Sequence, residues 1–175
     1  RKGLQVLLRA WPEIHRRSGL RLTVAGADPL AVRLLLTRLG VSDAGIDVVG
    51  FLSQDDLTRT LLGAKALVAP SLGQESFGMV LTRAYACALP VIASDIPGYR
   101  EVLDPGAAVA IPPDDPRALA EAVCGLVGDE PRRRALGAAA RELAVARYSW
   151  PELARRLEEI YGRVTGIGHD EMQAA

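Results

Sequence analysis

Ala66-Leu-Val-Ala-Pro-Ser71 and Pro90-Val-Ile-Ala-Ser-Asp95 are two short apolar runs without polar alternation, separated by a loop and a helix expected over about residues 78–88. Runs of this kind are what strands buried on both faces look like. The same alternation extends upstream. Leu20 to Gly26 and Ile46 to Phe51 read as earlier strands, with Asp28-Pro29 opening a Leu-rich helix that ends at Gly40 and Ser53-Gln-Asp-Asp56 opening another to about Leu62. Before them, Leu4, Val6, Leu7, Leu8, Trp11 and Ile14 recur at helical spacing, which predicts a helix over about residues 3–17. Downstream come a strand at Ala107 to Ile111, a helix capped by Asp115-Pro116, and two helices over about 131–147 and 150–163, the last with a capping box at Ser149-Trp-Pro-Glu152. Strands alternating with amphipathic helices make this an α/β chain, a doubly wound parallel sheet of Rossmann-like type. One domain over residues 1–164 is expected, followed by a disordered tail over 165–175.

The chain has 175 residues, enough for one substantial core, and its 21 basic and 21 acidic side chains cancel. No global field draws it to nucleic acid or to an anionic membrane, so any anion site must be local. Cys87 and Cys124 sit among apolar neighbours without C-x-x-C spacing and read as small buried hydrophobes of a reduced compartment. No apolar stretch is long enough to span a bilayer and no signal-peptide pattern is present, which suggests a soluble, cytoplasmic protein. The abrupt opening on Arg1-Lys2-Gly3, without an initiator Met, is expected of a piece of a longer polypeptide.

Ligands of such folds bind beyond the carboxyl ends of the strands. The loop Ser71-Leu-Gly-Gln-Glu75-Ser-Phe-Gly78 places two glycines and a lone carboxylate directly before a helix. Free N–H groups and a partial positive charge at that helix start suit a phosphate, held by the amides of Phe77, Gly78, Met79 and Val80. Glu75 could equally serve only to complement the helix dipole. G-x-G-x-x-G is absent after the first strand, where Val24-Ala-Gly26 offers one glycine, and no G-x-x-x-x-G-K-[ST] occurs, which argues against a dinucleotide dehydrogenase and a P-loop NTPase. His15 and His169 read as surface histidines, badly placed to activate a Ser or Cys nucleophile. Asp55-Asp56 and Asp114-Asp115 fall at helix starts, where carboxylates are expected anyway, so no metal and no cofactor is assigned.

Glu75-Ser-Phe-Gly-Met-Val-Leu-Thr-Arg-Ala-Tyr-Ala-Cys-Ala-Leu-Pro-Val-Ile-Ala-Ser-Asp95 resembles glycosyltransferase family 4, retaining enzymes of GT-B fold. Arg1-Lys2-Gly3, Val24-Ala-Gly26, Gly50-Phe51-Leu52, Val68-Ala-Pro-Ser71, Gly98-Tyr-Arg-Glu101-Val and Tyr148-Ser-Trp150 fall in the family's order, and the branch most resembled includes bacterial phosphatidylinositol mannosyltransferases. The resemblance implies the C-terminal, donor-binding lobe of such an enzyme. It would transfer a hexose of mannose or glucose type from a nucleoside-diphosphate sugar to a lipid or saccharide acceptor held by an N-terminal lobe absent from this chain. Any peripheral membrane association would come through that lobe.

The resemblance also implies roles. Lys2 would stabilise the diphosphate leaving group in place of a metal, and Glu75 would accept hydrogen bonds from sugar hydroxyls; these two are the candidate catalytic residues. Gly26, Ser76 and the amides of Phe77 to Val80 would line the donor site, and main chain near Leu52 and Ser53 would meet the base. The family usually carries a second glutamate eight residues after the first, for the ribose hydroxyls; here Arg83 stands there, and a guanidinium cannot accept a hydrogen bond. Its guanidinium offers two other roles, pairing with Glu75 or gripping a phosphate. Ala88 replaces the family's usual glycine. These departures support the alternative of a degenerate, inactive lobe kept as a binding or scaffolding module.

Overall fold

A computed structural model describes residues 1–165. Helix α1 (Leu4–Ser18) leads into strand β1 (Leu22–Ala25), α2 (Pro29–Leu39), β2 (Ile46–Gly50), α3 (Gln54–Gly63), β3 (Leu67–Ala69), α4 (Met79–Ala86) and β4 (Val91–Ser94). A single 3-10 turn (Pro97–Tyr99) precedes β5 (Ala108–Ile111), and α5 (Pro116–Gly128), α6 (Glu130–Tyr148) and α7 (Trp150–Thr165) close the order. All strand pairs are parallel, in one ladder of β1 with β2 and another in the order β3-β4-β5. The expected α/β, Rossmann-like architecture is what the chain forms. Residues 166–175, including His169 and nearly all of the expected tail, lie outside the described residues, and Thr165 is the last residue of α7.

Helix α1 ties the two ladders together. Val6, Leu7, Ala10, Trp11 and Ile14 pack with Ile92 and Ile111 and with α5, while Leu8 meets Val24 and the α2 residues Val32 and Leu36. Strand β4 is buried at every position, as its uninterrupted apolar run requires. Strands β1 and β2 depart from the expectation of burial on both faces. Val24 is buried and Leu22, Ile46 and Val48 pack inward beside it, whereas Thr23, Ala25 and Val49 are exposed. Period-two geometry explains this, because Leu-Thr-Val-Ala and Ile-Asp-Val-Val carry apolar side chains to one face at alternate positions whatever stands between them.

Helix starts follow side-chain chemistry. Asp28, Ser53, Asp115 and Asp129 each accept a backbone N–H from the first turn that follows, a bond of about 1 kcal/mol apiece. The capping box expected at Ser149 does not take its reciprocal form, since Glu152 turns to Arg155 and Arg156. Those guanidiniums hold its carboxyl well below the usual range, at about 2. His15, expected at the surface, is half-buried: Nδ1–H donates to the Leu20 carbonyl at 2.7 Å and the ring stacks on Trp11. The same helical face that buries Trp11 carries His15 four residues on. Cys87 and Cys124 are half-buried free thiols rather than core residues, and burial pushes both thiols upward, away from the reactive thiolate.

Candidate functional site

The carboxyl ends of β3 and β4 and the start of α1 converge on one loop. Leu72 N–H donates to the Arg1 carbonyl at 3.0 Å, and Gly3 lies so close to Pro70 that a β-carbon there would stand 1.7 Å from the Pro70 carbonyl oxygen. With φ at +71°, Gly3 also holds a left-handed conformation that glycine adopts without strain. Residues 1–3 are thereby pinned along the exit of β3, and Lys2 reaches over the loop that follows. Its Nζ lies 2.7 Å from Glu75 Oε1 and 2.9 Å from Oε2. The Lys2 side chain is 64% exposed and that of Glu75 only 9%, so the cation faces solvent and the carboxylate lies beneath it.

From below, Glu75 is met by Ser71, whose Oγ donates to Oε1 at 3.3 Å, and Ser71 in turn lies 2.9 Å from the Tyr99 hydroxyl. Burial raises the Tyr99 phenol above its ordinary value; the Ser71 hydrogen bond works the other way, and the nearby Glu75 charge adds to the rise. Helix α4 starts immediately beyond, with Gly78 at φ +85° as its N-cap residue and no side chain capping it. Leu81 N–H bonds to the Gly78 carbonyl, while the amides of Phe77, Gly78, Met79 and Val80 find no backbone acceptor among the described residues. Ser76, Met79 and Val80 are exposed around this helix end, and Phe77 turns inward to meet Tyr148 edge-on.

Gly26, Leu52 and Ser53 stand at the corresponding edge of the other ladder. Gly26 N–H donates to the Gly50 carbonyl at 2.7 Å, closing the ends of β1 and β2. The Ser53 hydroxyl is engaged in capping α3, Leu52 is half-buried and Phe51 is 82% exposed. None of the three candidates is hydrogen-bonded to the Lys2–Glu75 cluster. Arg83 is exposed on α4 and its guanidinium makes no ion pair or hydrogen bond among the described residues, so the expected alternative of a pair with Glu75 is replaced by Lys2. Ala88 has φ +54°, which accounts for the glycine expected at that position. No group of three or more His, Cys, Asp or Glu side chains that could hold a metal occurs among the described residues. Asp56 is instead engaged by Ser53 and Arg59.

Ser71 and Tyr99 are the site residues that the sequence does not announce. Both are buried hydroxyls brought together across 28 positions of chain, and no spacing rule links them.

The edge thus gathers an exposed cation, amides without a backbone acceptor at a helix start, and a carboxylate held by two donors, the Lys2 ammonium and the Ser71 hydroxyl. Residues 1–129 match the family described as glycosyl transferases group 1. The chain belongs to that family. Among group 1 relatives, a phosphatidyl-myo-inositol mannosyltransferase of Mycolicibacterium smegmatis is 36% identical over 180 residues, covering 96% of this chain and 43% of that protein. The protein of that name from Mycobacterium leprae is 35% identical over 176 residues, covering 96% and 45%. A solved sucrose-phosphate synthase from Thermosynechococcus elongatus superposes with a TM-score of 0.81 at 28% identity, covering 95% of this chain and 43% of that one. Anabaena HepE in complex with UDP gives 0.81 at 20% identity, over 93% and 45%, a likeness of fold alone. This chain thus spans less than half the length of these relatives. No described helix is long and apolar enough to cross a membrane.

Proposed function

We propose that this chain is the donor-binding lobe of a retaining hexosyltransferase, holding a nucleoside-diphosphate sugar of mannose or glucose type for transfer to a lipid or saccharide acceptor. The observation that carries the reading is the Lys2–Glu75 pair, whose carboxylate stands on the loop that leads three residues later into the uncapped start of α4 at Gly78. A diphosphate seated there meets the Lys2 ammonium and the helix start together, and both stabilise the negative charge that grows on the leaving group as the glycosidic bond breaks. Glu75, an acceptor alone when ionised, accepts hydrogen bonds from the sugar hydroxyls and so orients the anomeric carbon. The base lies toward Leu52 and Ser53. Lipid acceptors are supported by the names of the mannosyltransferase relatives; the acceptor is assigned to sequence beyond this chain, which spans less than half of them, and the catalytic cleft to the space between that part and this lobe.

A thermal-shift panel of UDP, GDP and ADP, their glucose and mannose conjugates, and inorganic phosphate tests the reading. A ligand at tenfold its Kd stabilises by about 1.4 kcal/mol, which raises the melting temperature of a chain this size by roughly 3–6 °C. One nucleoside diphosphate and its sugar conjugate are expected to do so, and phosphate is not. Arg83 favours a second reading, a lobe that has lost its donor: silence across the panel, with a shift appearing in Arg83→Glu, would establish it.

A further inference from the structure

Ser71 is 2% exposed and Tyr99 1% exposed, and both hydroxyls serve Glu75 from within the core. An ionised carboxylate only accepts, so the Ser71 proton is directed at Glu75 and the Ser71 lone pair is left for the Tyr99 proton. The relay therefore runs one way, from Tyr99 through Ser71 to Glu75. Packing alone does not call for the phenol oxygen, since phenylalanine fills the same space without a polar group to bury. The ring is also held in place. A β-carbon on Gly78 would stand 2.7 Å from it, and the neighbouring Gly98 lies against the Glu75 main chain, 1.7 Å from an added β-carbon to the carbonyl oxygen. Tyr99 thus touches both ends of the loop that carries Glu75.

Lys2 holds Glu75 from the solvent side on a long, exposed stem. A ligand's diphosphate competes for that ammonium, and as Lys2 turns toward it the carboxylate loses the donor that fixed it from above. The buried hydroxyls remain. We propose that Tyr99 is a positioning residue which, through Ser71, keeps the Glu75 carboxylate aimed at the sugar when Lys2 engages the diphosphate. This rests on reading Glu75 as the sugar-recognising group.

The test is calorimetric titration of the chain with two pairs of probes, UDP against UDP-glucose and GDP against GDP-mannose, for the native protein, Tyr99→Phe, Ser71→Ala, the double variant and Glu75→Gln. Tyr99→Phe retains the buried ring, and its melting curve checks that the fold survives. It is expected to weaken the nucleotide sugar about three- to tenfold and the bare nucleotide less than about twofold. Ser71→Ala should do at least as much, and adding Tyr99→Phe to it should change nothing further, because the relay is already cut. Equal weakening of sugar and bare nucleotide, or additive losses in the double variant, overturns the positioning role. If Glu75→Gln removes the preference for the sugar conjugate while Tyr99→Phe leaves it intact, the relay alone is wrong. A preference untouched by Glu75→Gln, or no binding of either pair, removes the reading of Glu75 and the relay with it.

Discussion

Gly98→Ala places one methyl group where the structure has no room for it. The new β-carbon would stand 1.7 Å from the Glu75 carbonyl oxygen, 2.5 Å from its carbonyl carbon and 3.1 Å from its β-carbon. Two of these three atoms are main chain, so no rotamer change relieves the overlap. Ordinary contact requires the loop and the 3-10 turn to part by roughly 1.5 Å. The Ser71–Glu75 bond, already 3.3 Å long, does not survive such a shift, and the Lys2 contacts at 2.7 and 2.9 Å are stretched with it. Overpacking of this kind costs about 1–3 kcal/mol, offset by up to about 1 kcal/mol from the stiffer unfolded chain. The melting temperature should fall by a few degrees. Misaiming a charged hydrogen-bonding group by that distance should weaken the nucleotide-sugar conjugate at least about tenfold. Calorimetry reads the affinity and scanning calorimetry the stability. Gly125→Ala, in α5 with nothing within 4 Å of the added carbon, is the control and should be neutral or stabilising by up to about 1 kcal/mol. Native stability and native sugar affinity in Gly98→Ala would refute the packing of the turn against the Glu75 loop.

Burial pushes the Tyr85 phenol up to about 12, and its hydroxyl donates to the Val102 carbonyl. Below pH 10 the phenol is neutral in both folded and unfolded states and its contribution is fully present; between pH 10 and about 12 the unfolded chain releases a proton that the folded one keeps, so stability falls as pH rises. Urea midpoints measured from pH 8 to 11.5 should decline above pH 10, and less steeply in Tyr85→Phe; identical slopes would contradict this. Ala88→Gly relieves a left-handed residue and should raise the melting temperature by about 1–4 °C, whereas a drop would mean the methyl group packs usefully. Arg83→Glu, at an exposed position without an ion pair among the described residues, should leave stability within about 0.5 kcal/mol and alter nucleotide affinity alone; a large loss on thermal melting would reveal a structural partner.

The fold was legible because its signals are local. Asp28-Pro29 and Asp115-Pro116 mark helix starts by their own chemistry, and the run from Val91 to Ser94 can only be a strand covered on both faces. What depended on neighbours was less so. Thr23, Ala25 and Val49 look as apolar or β-forming as their counterparts in β4, and only the arrangement of helices decides that their face stays open. His15 shows the same limit, since its partner is the Leu20 carbonyl beyond the end of α1. In the site, Lys2 and Glu75 were named from family order, and the structure brings them to 2.7 Å. Ser71 and Tyr99 escaped because a hydrogen bond between residues 28 positions apart leaves no periodic trace.

The most direct test of the account is the affinity of this chain for a nucleoside diphosphate before and after Lys2→Ala, measured by calorimetric titration. Removing an exposed cation whose carboxylate partner stays held by Ser71 leaves the fold intact, and the account predicts saturable binding by the native chain that weakens about tenfold in the variant. Equal affinity in the two proteins would contradict the placement of the diphosphate against Lys2 and the start of α4.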